Sequence, residues 1–155
     1  MLLSIGGNDV DFAGTVFWCI VAMPGQTCAR FGPIEEGQFR TGAAGRIAAV
    51  ADSLRRVYRD INRAVNDPQA RSKRAGKYAP IIVVPYPRIV PSHQAGAAAA
   101  GGCHLNINAG EVKFFNDFID MLNLEIGAAA GSVRSDGVPI YLAADVVSAF
   151  QPHHT

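Results

Sequence analysis

Four residues near the start of the chain are the first candidates for chemistry. MLLSI is a short apolar run, and Gly6, Gly7, Asn8 and Asp9 follow it directly. If the run is a buried parallel strand, these residues lie at its carboxyl end, where α/β sheets bind their ligands. The glycine spacing matches neither a P-loop nor a dinucleotide-binding fingerprint. The structural alternative is a glycine-rich turn in which Asn8 caps the following helix.

The histidines form no comparable pattern. His93 and His104 fall in loop-like sequence, without an acid or a nucleophile at a suitable spacing. His153, His154 and Asp145 could form a metal site, although adjacent histidines of this kind are more typical of an exposed segment.

The three cysteines suggest a disulfide rather than a metal site. Cys19 and Cys28 are close together in a segment rich in turn residues, so a short-loop disulfide between them is predicted. Cys103 is then either a free thiol or paired with a residue outside this chain. No C-x-x-C spacing occurs, and we expect neither a metal nor an organic cofactor.

Strand and helix patterns alternate along the chain and predict what positions these residues. Residues 1–5 and 80–87 are apolar runs bounded by glycine or proline, and a third strand is expected near residues 139–142. Long amphipathic helices are predicted at residues 45–66 and 109–129. EEGQFRTGAAG, before the first of them, is interpreted as irregular. This order predicts a parallel sheet with helices on both faces.

The apolar spacing also predicts which face each helix buries. The first helix is expected to bury Ile47, Val50, Leu54, Val57, Ile61 and Val65. The second is expected to bury Val112, Phe115, Ile119, Leu122 and Ile126. Asn108 and Glu111 have the spacing of a capping box at the start of the second helix.

Composition indicates a globular domain with no strongly charged surface. Apolar residues make up 49% of the 155-residue chain and charged residues 17%, with a net charge of +1. This balance gives no reason to expect nucleic acid or an anionic membrane as a partner. No apolar run approaches the ~20 residues of a transmembrane helix. The one basic cluster, RSKRAGK at residues 71–77, is predicted to be a solvated loop.

The strand followed by G-x-N-D and an apolar helix resembles the third conserved block of the SGNH hydrolases, also called GDSL esterases and lipases. Cys19 and Cys28 are similar in placement to the disulfide loop of the family's secreted bacterial lipase branch. PIIVVPYP resembles the fourth strand, and Leu122-Asn123 resembles a Leu-Asn pair of the next helix. YLAADVVSAFQPHH resembles the fifth strand and the Asp, aromatic, His stretch after it. The resemblance implies a three-layer α/β/α, flavodoxin-like parallel sheet in one partial domain over residues 1–155.

The resemblance also implies a chemistry, the hydrolysis of small-molecule or lipid carboxylic esters. In this family a serine attacks the ester carbonyl, a histidine is its base, and a glycine amide and an asparagine side chain stabilise the oxyanion. Asn8 falls on the asparagine position, and Gly7 belongs to the turn that presents it. Asp9 is expected to cap the next helix or brace the turn.

The chain departs from the family pattern at the nucleophile and at the base. No Gly-Asp-Ser occurs anywhere in the sequence. His153 is the candidate base, but Phe150 stands three residues before it, where the family has an acid. Asp145, Phe150 and His153 fit better an earlier, non-catalytic landmark of the lipase branch. In that branch a cysteine follows, which would be the natural partner of Cys103.

These departures lead to the expectation of an incomplete domain, in which strands 3–5 are present and strands 1–2 are missing. Such a polypeptide is expected to be catalytically silent alone and, if the family branch holds, to derive from a secreted protein. Residues 1–5 would form an unprotected apolar edge, which predicts self-association. The alternative is a non-catalytic α/β binding or interaction domain. A flavodoxin-like nucleotide-binding domain is less consistent with the sequence, because no phosphate-binding loop occurs.

Overall fold

The computed structural model describes residues 1–14, 36–88 and 109–143. Strands and helices alternate through these ranges, as the sequence predicts for an α/β fold. In chain order the elements are β1 (Leu2–Leu3), α1 (Glu36–Val65), α2 (Pro68–Ser72), β2 (Ile81–Val83), α3 (Ala109–Ser135) and β3 (Ile140–Leu142).

The three described strands form a parallel sheet in the order β1-β2-β3. Leu2, Ile82 and Tyr141 are in register and therefore form a row across one face of the sheet. Ile81 and Val83 point to the other face and are buried against α1 and α3. The predicted parallel sheet is confirmed, and β2 is central to its described part.

The core lies between that face and the two long helices. The buried stripe predicted for α3 is confirmed at every position, and the stripe predicted for α1 is confirmed at Ile47, Val50 and Leu54. Val57, however, is 39% exposed, and Tyr58 is buried in its place. An α-helix repeats every 3.6 residues, so the next core-facing position after Leu54 is four residues later, at Tyr58, rather than three residues later, at Val57.

Both long helices extend beyond the predicted limits. α1 begins at Glu36, so the interpretation of EEGQFRTGAAG as irregular is wrong. Each glycine costs a helix only about 1 kcal/mol, and adding residues to an established helix is favourable, so the apolar part of α1 can support this extension. α3 continues beyond the predicted limit at residue 129 through its alanine-rich end to Ser135, and the turn before β3 is formed by Asp136 and Gly137.

The basic cluster after α1 is partly ordered. Asp67 caps α2, because its Oδ1 accepts hydrogen bonds from the backbone N–H groups of Gln69 at 2.7 Å and Ala70 at 3.0 Å. The guanidinium of Arg71 lies 4.8 Å from the ring centroid of Tyr78. The cluster is therefore not entirely a loop, although its lysines are exposed as predicted.

A side-chain amide holds the backbone just before β2. The Asn66 Nδ2 donates to the Ala79 carbonyl at 3.1 Å, and the Asn66 Oδ1 accepts from the Ala79 N–H at 2.7 Å. These two bonds reproduce the pairing that a neighbouring strand would supply. They fix the amino end of β2 to the end of α1.

Candidate active site

The chain turns sharply after β1, and two backbone hydrogen bonds close the turn. The Asp11 N–H donates to the Asn8 carbonyl at 3.1 Å, and the Phe12 N–H donates to the Gly7 carbonyl at 3.0 Å. Gly6 has a φ of 109°, which side-chain-bearing residues rarely adopt. The two-glycine signal in the sequence therefore has a local cause in the backbone path out of β1.

The start of this turn lies directly on the hydrophobic core. A Cβ placed on Gly6 would meet the methyl groups of Leu54 at 3.7 Å and the Leu122 Cδ1 at 3.9 Å. The Arg46 Nε donates to the Val10 carbonyl at 3.3 Å, which ties the far side of the turn to α1. The two long helices thus support the turn from below.

Asn8 is exposed and follows β1 beyond its carboxyl end. Within the described ranges its carboxamide, which carries two N–H donors, has no hydrogen-bond partner. Asp9 is also exposed, and no capping bond from its carboxylate occurs among the described residues.

Tyr86 is a site residue that sequence reasoning missed. Its hydroxyl oxygen accepts a hydrogen bond from the Gly7 N–H at 3.0 Å. A Cβ on Gly7 would lie 2.8 Å from that oxygen, so only glycine fits there without displacing the tyrosine. The available signal was its position just after β2, since the carboxyl ends of neighbouring parallel strands meet at one edge.

Asn123 holds Tyr86 from α3. Its Nδ2 donates to the Tyr86 carbonyl at 2.8 Å, and its Oδ1 accepts from the Tyr86 N–H at 2.8 Å. This is the same two-bond arrangement that Asn66 makes before β2. The Leu122-Asn123 pair noted in the sequence therefore combines a core side chain with a backbone-binding one.

An ion pair fastens the same segment one step further along. The Arg88 Nε donates to the Asp120 Oδ1 at 3.0 Å, and a second guanidinium nitrogen contacts Oδ2. The hydrogen bond to Asp120 raises the pKa of Arg88 above its ordinary value. Asp120 and Asn123 are one helical turn apart, which lets α3 bind the segment at two points.

Aromatic rings form an apolar wall next to the turn. The ring of Phe12 lies 6.1 Å from that of Tyr86 and 5.9 Å from that of Phe118, measured between centroids. Phe114 extends the row, with its centroid 6.4 Å from that of Phe118. Tilted packing at these distances is favourable and limits the rotation of the tyrosine ring.

The structure leaves several sequence-predicted residues unplaced. The residues outside the described ranges are Cys19, Cys28, His93, Cys103, His104, Asn108, Asp145, Phe150, His153 and His154. Most of the apolar helix expected after G-x-N-D also lies outside them, although residues 12–14 are helical. No group of three potential metal ligands converges among the residues that the structure describes.

Two of the described serines use their hydroxyls within helices. The Ser72 Oγ donates to the Gln69 carbonyl at 2.7 Å, and the Ser135 Oγ donates to the Ser132 carbonyl at 2.6 Å. Such back-bonding is a local helix feature and does not activate a hydroxyl as a nucleophile. None of the helices in the described segments has the length and apolarity that crossing a membrane requires.

Comparison with known structures identifies a relative of this arrangement. The crystal structure of phospholipase A1 from Streptomyces albidoflavus NA297 aligns with 96% of this chain at a TM-score of 0.53 and 23% sequence identity. What the two share is the fold. The chain spans 50% of the length of that phospholipase. No protein-family model and no curated protein sequence matches the chain.

Proposed function

We propose that this chain forms the oxyanion-stabilising part of a serine carboxylic ester hydrolase of the SGNH type, acting on small-molecule or lipid esters. The observation that carries the proposal is the exposed Asn8 carboxamide beyond the carboxyl end of β1, within G-x-N-D, which makes no hydrogen bond to any residue that the structure describes. The fold shared with a phospholipase A1 supports it.

In the proposed mechanism a serine attacks the ester carbonyl while a histidine removes its proton. As negative charge develops on the carbonyl oxygen, this oxygen accepts a hydrogen bond from an N–H of the Asn8 Nδ2. Gly7 contributes the shape of the turn, because its own N–H is occupied by Tyr86. The nucleophile would come from polypeptide outside this chain, since no Gly-Asp-Ser occurs here. His153 is the candidate base within the chain, and a histidine beyond it is the alternative.

Hydrolysis of p-nitrophenyl butyrate tests this proposal in two forms of the protein. We expect no serine-dependent turnover by the 155-residue polypeptide alone. We expect turnover once the reading frame is extended upstream to include a strand and a Gly-Asp-Ser segment. In that active form, Asn8→Ala and the similar-sized Asn8→Asp should each lower kcat about 10²- to 10³-fold with little change in KM.

Two results would contradict the proposal. One is turnover in the active form that is insensitive to both Asn8 substitutions. The other is an upstream sequence without Gly-Asp-Ser and with a ribosome-binding site directly before Met1. The second result would favour a non-catalytic α/β binding or interaction domain, an alternative consistent with the exposed apolar residues Leu2 and Tyr141 on one face of the sheet.

A further inference from the structure

A continuous chain of hydrogen bonds runs from α3 to the turn that carries Asn8. Asn123 binds both backbone groups of Tyr86 at 2.8 Å, and the Tyr86 hydroxyl binds the Gly7 N–H at 3.0 Å. These bonds join residues far apart in sequence, at separations of 37 and 79 positions. The backbone immediately before Asn8 is therefore attached to a rigid helix through one tyrosine side chain.

The fit around the tyrosine hydroxyl allows little adjustment. A methyl group on Gly7 would lie 2.8 Å from the hydroxyl oxygen and 3.0 Å from the adjoining ring carbon. The ring cannot move aside freely, because it packs against Phe12 on one side and its backbone is held by Asn123. A hydroxyl in this position fixes the orientation of the Gly6–Gly7 peptide and so the direction in which the turn leaves β1.

We infer that Tyr86 and Asn123 are positioning residues for the Asn8 carboxamide. Tyr86 orients the turn through the Gly7 N–H. Asn123 binds the Tyr86 backbone in the position from which the Tyr86 hydroxyl reaches that N–H. This inference rests on the proposed function, because the value of a fixed Asn8 is that its N–H groups are already aimed where charge develops. Neither residue contacts the reacting atoms in this assignment.

The chain contains a natural control for a purely structural role. Asn66 makes the same two backbone bonds at Ala79 as Asn123 makes at Tyr86, but at the opposite end of β2. Tyr78 likewise carries a hydroxyl that accepts one hydrogen bond, from Arg71 at 2.8 Å, on the surface away from the turn. Substitution of Tyr78 removes one such bond outside the Asn8 turn. Substitution of Asn66 removes the two backbone bonds and also its bonds to Asn62 and Arg74, so it is the more severe structural control.

Nuclear magnetic resonance of the whole 155-residue chain tests the geometry. In Tyr86→Phe the Gly7 amide should exchange with solvent about tenfold faster, because the hydroxyl that accepts its hydrogen bond is lost while the ring remains. The Asn8 side-chain NH₂ should become more mobile, and its response to added butyrate, a product-like carboxylate, should weaken. Asn123→Ala should act in the same direction, whereas Tyr78→Phe and Asn66→Ala should leave both signals unchanged.

Kinetics of the serine-containing form tests the consequence. Tyr86→Phe and Asn123→Ala should lower kcat about 10- to 100-fold with KM nearly constant, because misplaced catalytic groups affect the transition state more than ground-state binding. Asn66→Ala should lower thermal stability but not kcat at a temperature where the protein is folded.

The outcomes separate this inference from the proposed function. If Asn8→Ala lowers kcat but Tyr86→Phe does not, the positioning role is wrong and the hydrolase proposal stands. If the form extended upstream to include Gly-Asp-Ser shows no serine-dependent activity, the hydrolase proposal fails, and the exchange and side-chain signals still decide whether Tyr86 orients the turn. Unchanged Gly7 and Asn8 signals in Tyr86→Phe would overturn the inference in either case.

Discussion

Tyr58 has the most unusual environment of any described side chain in the core. It is fully buried, and its hydroxyl has no hydrogen-bond partner in the part of the chain that the structure describes. Burial, and to a smaller extent the Coulombic influence of Tyr86, raises the pKa of the Tyr58 phenol to about 12. A buried hydroxyl without a partner pays its desolvation cost without compensation.

Tyr58→Phe should therefore stabilise the protein at neutral pH by about 1 kcal/mol. The unfolded chain releases the phenolic proton near pH 10, whereas the folded protein retains it until about pH 12. The unfolding free energy of the wild type should consequently fall by up to about 3 kcal/mol between these pH values because of Tyr58. The Tyr58→Phe variant has no phenolic proton at this position and should not show this decrease. Urea denaturation at pH 7 and at several values above pH 10 measures both effects.

A matched substitution provides the control for Tyr58. Tyr78→Phe removes an exposed hydroxyl that is bonded to Arg71, so it should not stabilise the protein at pH 7. A Tyr58→Phe protein that is less stable than the wild type at pH 7 would show that the hydroxyl has a partner in solution.

For individual residues, the sequence pattern predicts the position of Asn8 but does not indicate the role of Tyr86. The position of Asn8 follows from local signals, an apolar run and two glycines. The role of Tyr86 depends on a contact with Gly7, 79 positions away in sequence, and on the hydrogen bonds by which Asn123 holds the Tyr86 backbone. Spacing along the chain carries no information about such a contact until the register of β1 on β2 is known.

Among the elements, α3 ends where its backbone leaves the helical conformation. Gly137 has a φ of 87°, and the Gly137 N–H donates to the Arg134 carbonyl at 2.9 Å. Gly131, by contrast, lies within the helix. A Cβ at either glycine would meet nothing within 4 Å, so only the backbone conformation distinguishes them.

Replacing these two glycines with alanine should have opposite effects. Gly131→Ala should raise the unfolding free energy by about 0.5–1 kcal/mol, because alanine is the better helix former. Gly137→Ala should lower it by about 1–2 kcal/mol, because a side chain is strained in the left-handed region. Thermal and urea unfolding of the two variants measures the difference, and effects of the same sign would show that α3 ends elsewhere in solution.

The same contrast explains which element limits could be predicted. Apolar periodicity located both long helices and most of their buried positions, but the glycine-containing segment before residue 45 and Gly131 were placed outside the predicted helices. α3 ends just before Gly137, which adopts a positive φ. Gly131 and the glycines at the start of α1 lie within helices. Composition alone does not distinguish these cases, because packing of the rest of each helix decides them.

In the part of the chain that the structure describes, the sheet has an exposed apolar face, and β1 is one of its two edge strands. Leu2 is 71% exposed and Tyr141 46% exposed, in register with the half-buried Ile82 between them. β1 pairs only with β2 among the described strands, so its outer backbone groups have no strand partner there. Parallel sheets are normally covered on both faces, and an uncovered apolar edge favours association.

We therefore expect the polypeptide to self-associate through β1, and Leu2→Glu should shift it toward the monomer. A charge on the edge strand opposes strand pairing and burial of the adjoining face. Leu124→Glu is the matched control, because Leu124 is equally exposed at 71% but lies on α3 rather than on the sheet. Sedimentation velocity over a range of concentrations measures the result. An equal shift in both variants would show that association does not use this edge.

The two asparagines that hold the backbone on either side of β2 give the loss of a single amide nitrogen a consequence that depends on its position. Asn66 and Asn123 each use one amide group as donor and acceptor together, a combination that a carboxylate does not have. Deamidation would replace the donating nitrogen with a charged oxygen facing a backbone carbonyl oxygen. Deamidation of Asn66 would break the bonds that hold the backbone just before β2 and so lower stability there. Deamidation of Asn123 would instead free the Tyr86 backbone and so disturb the turn that carries Asn8.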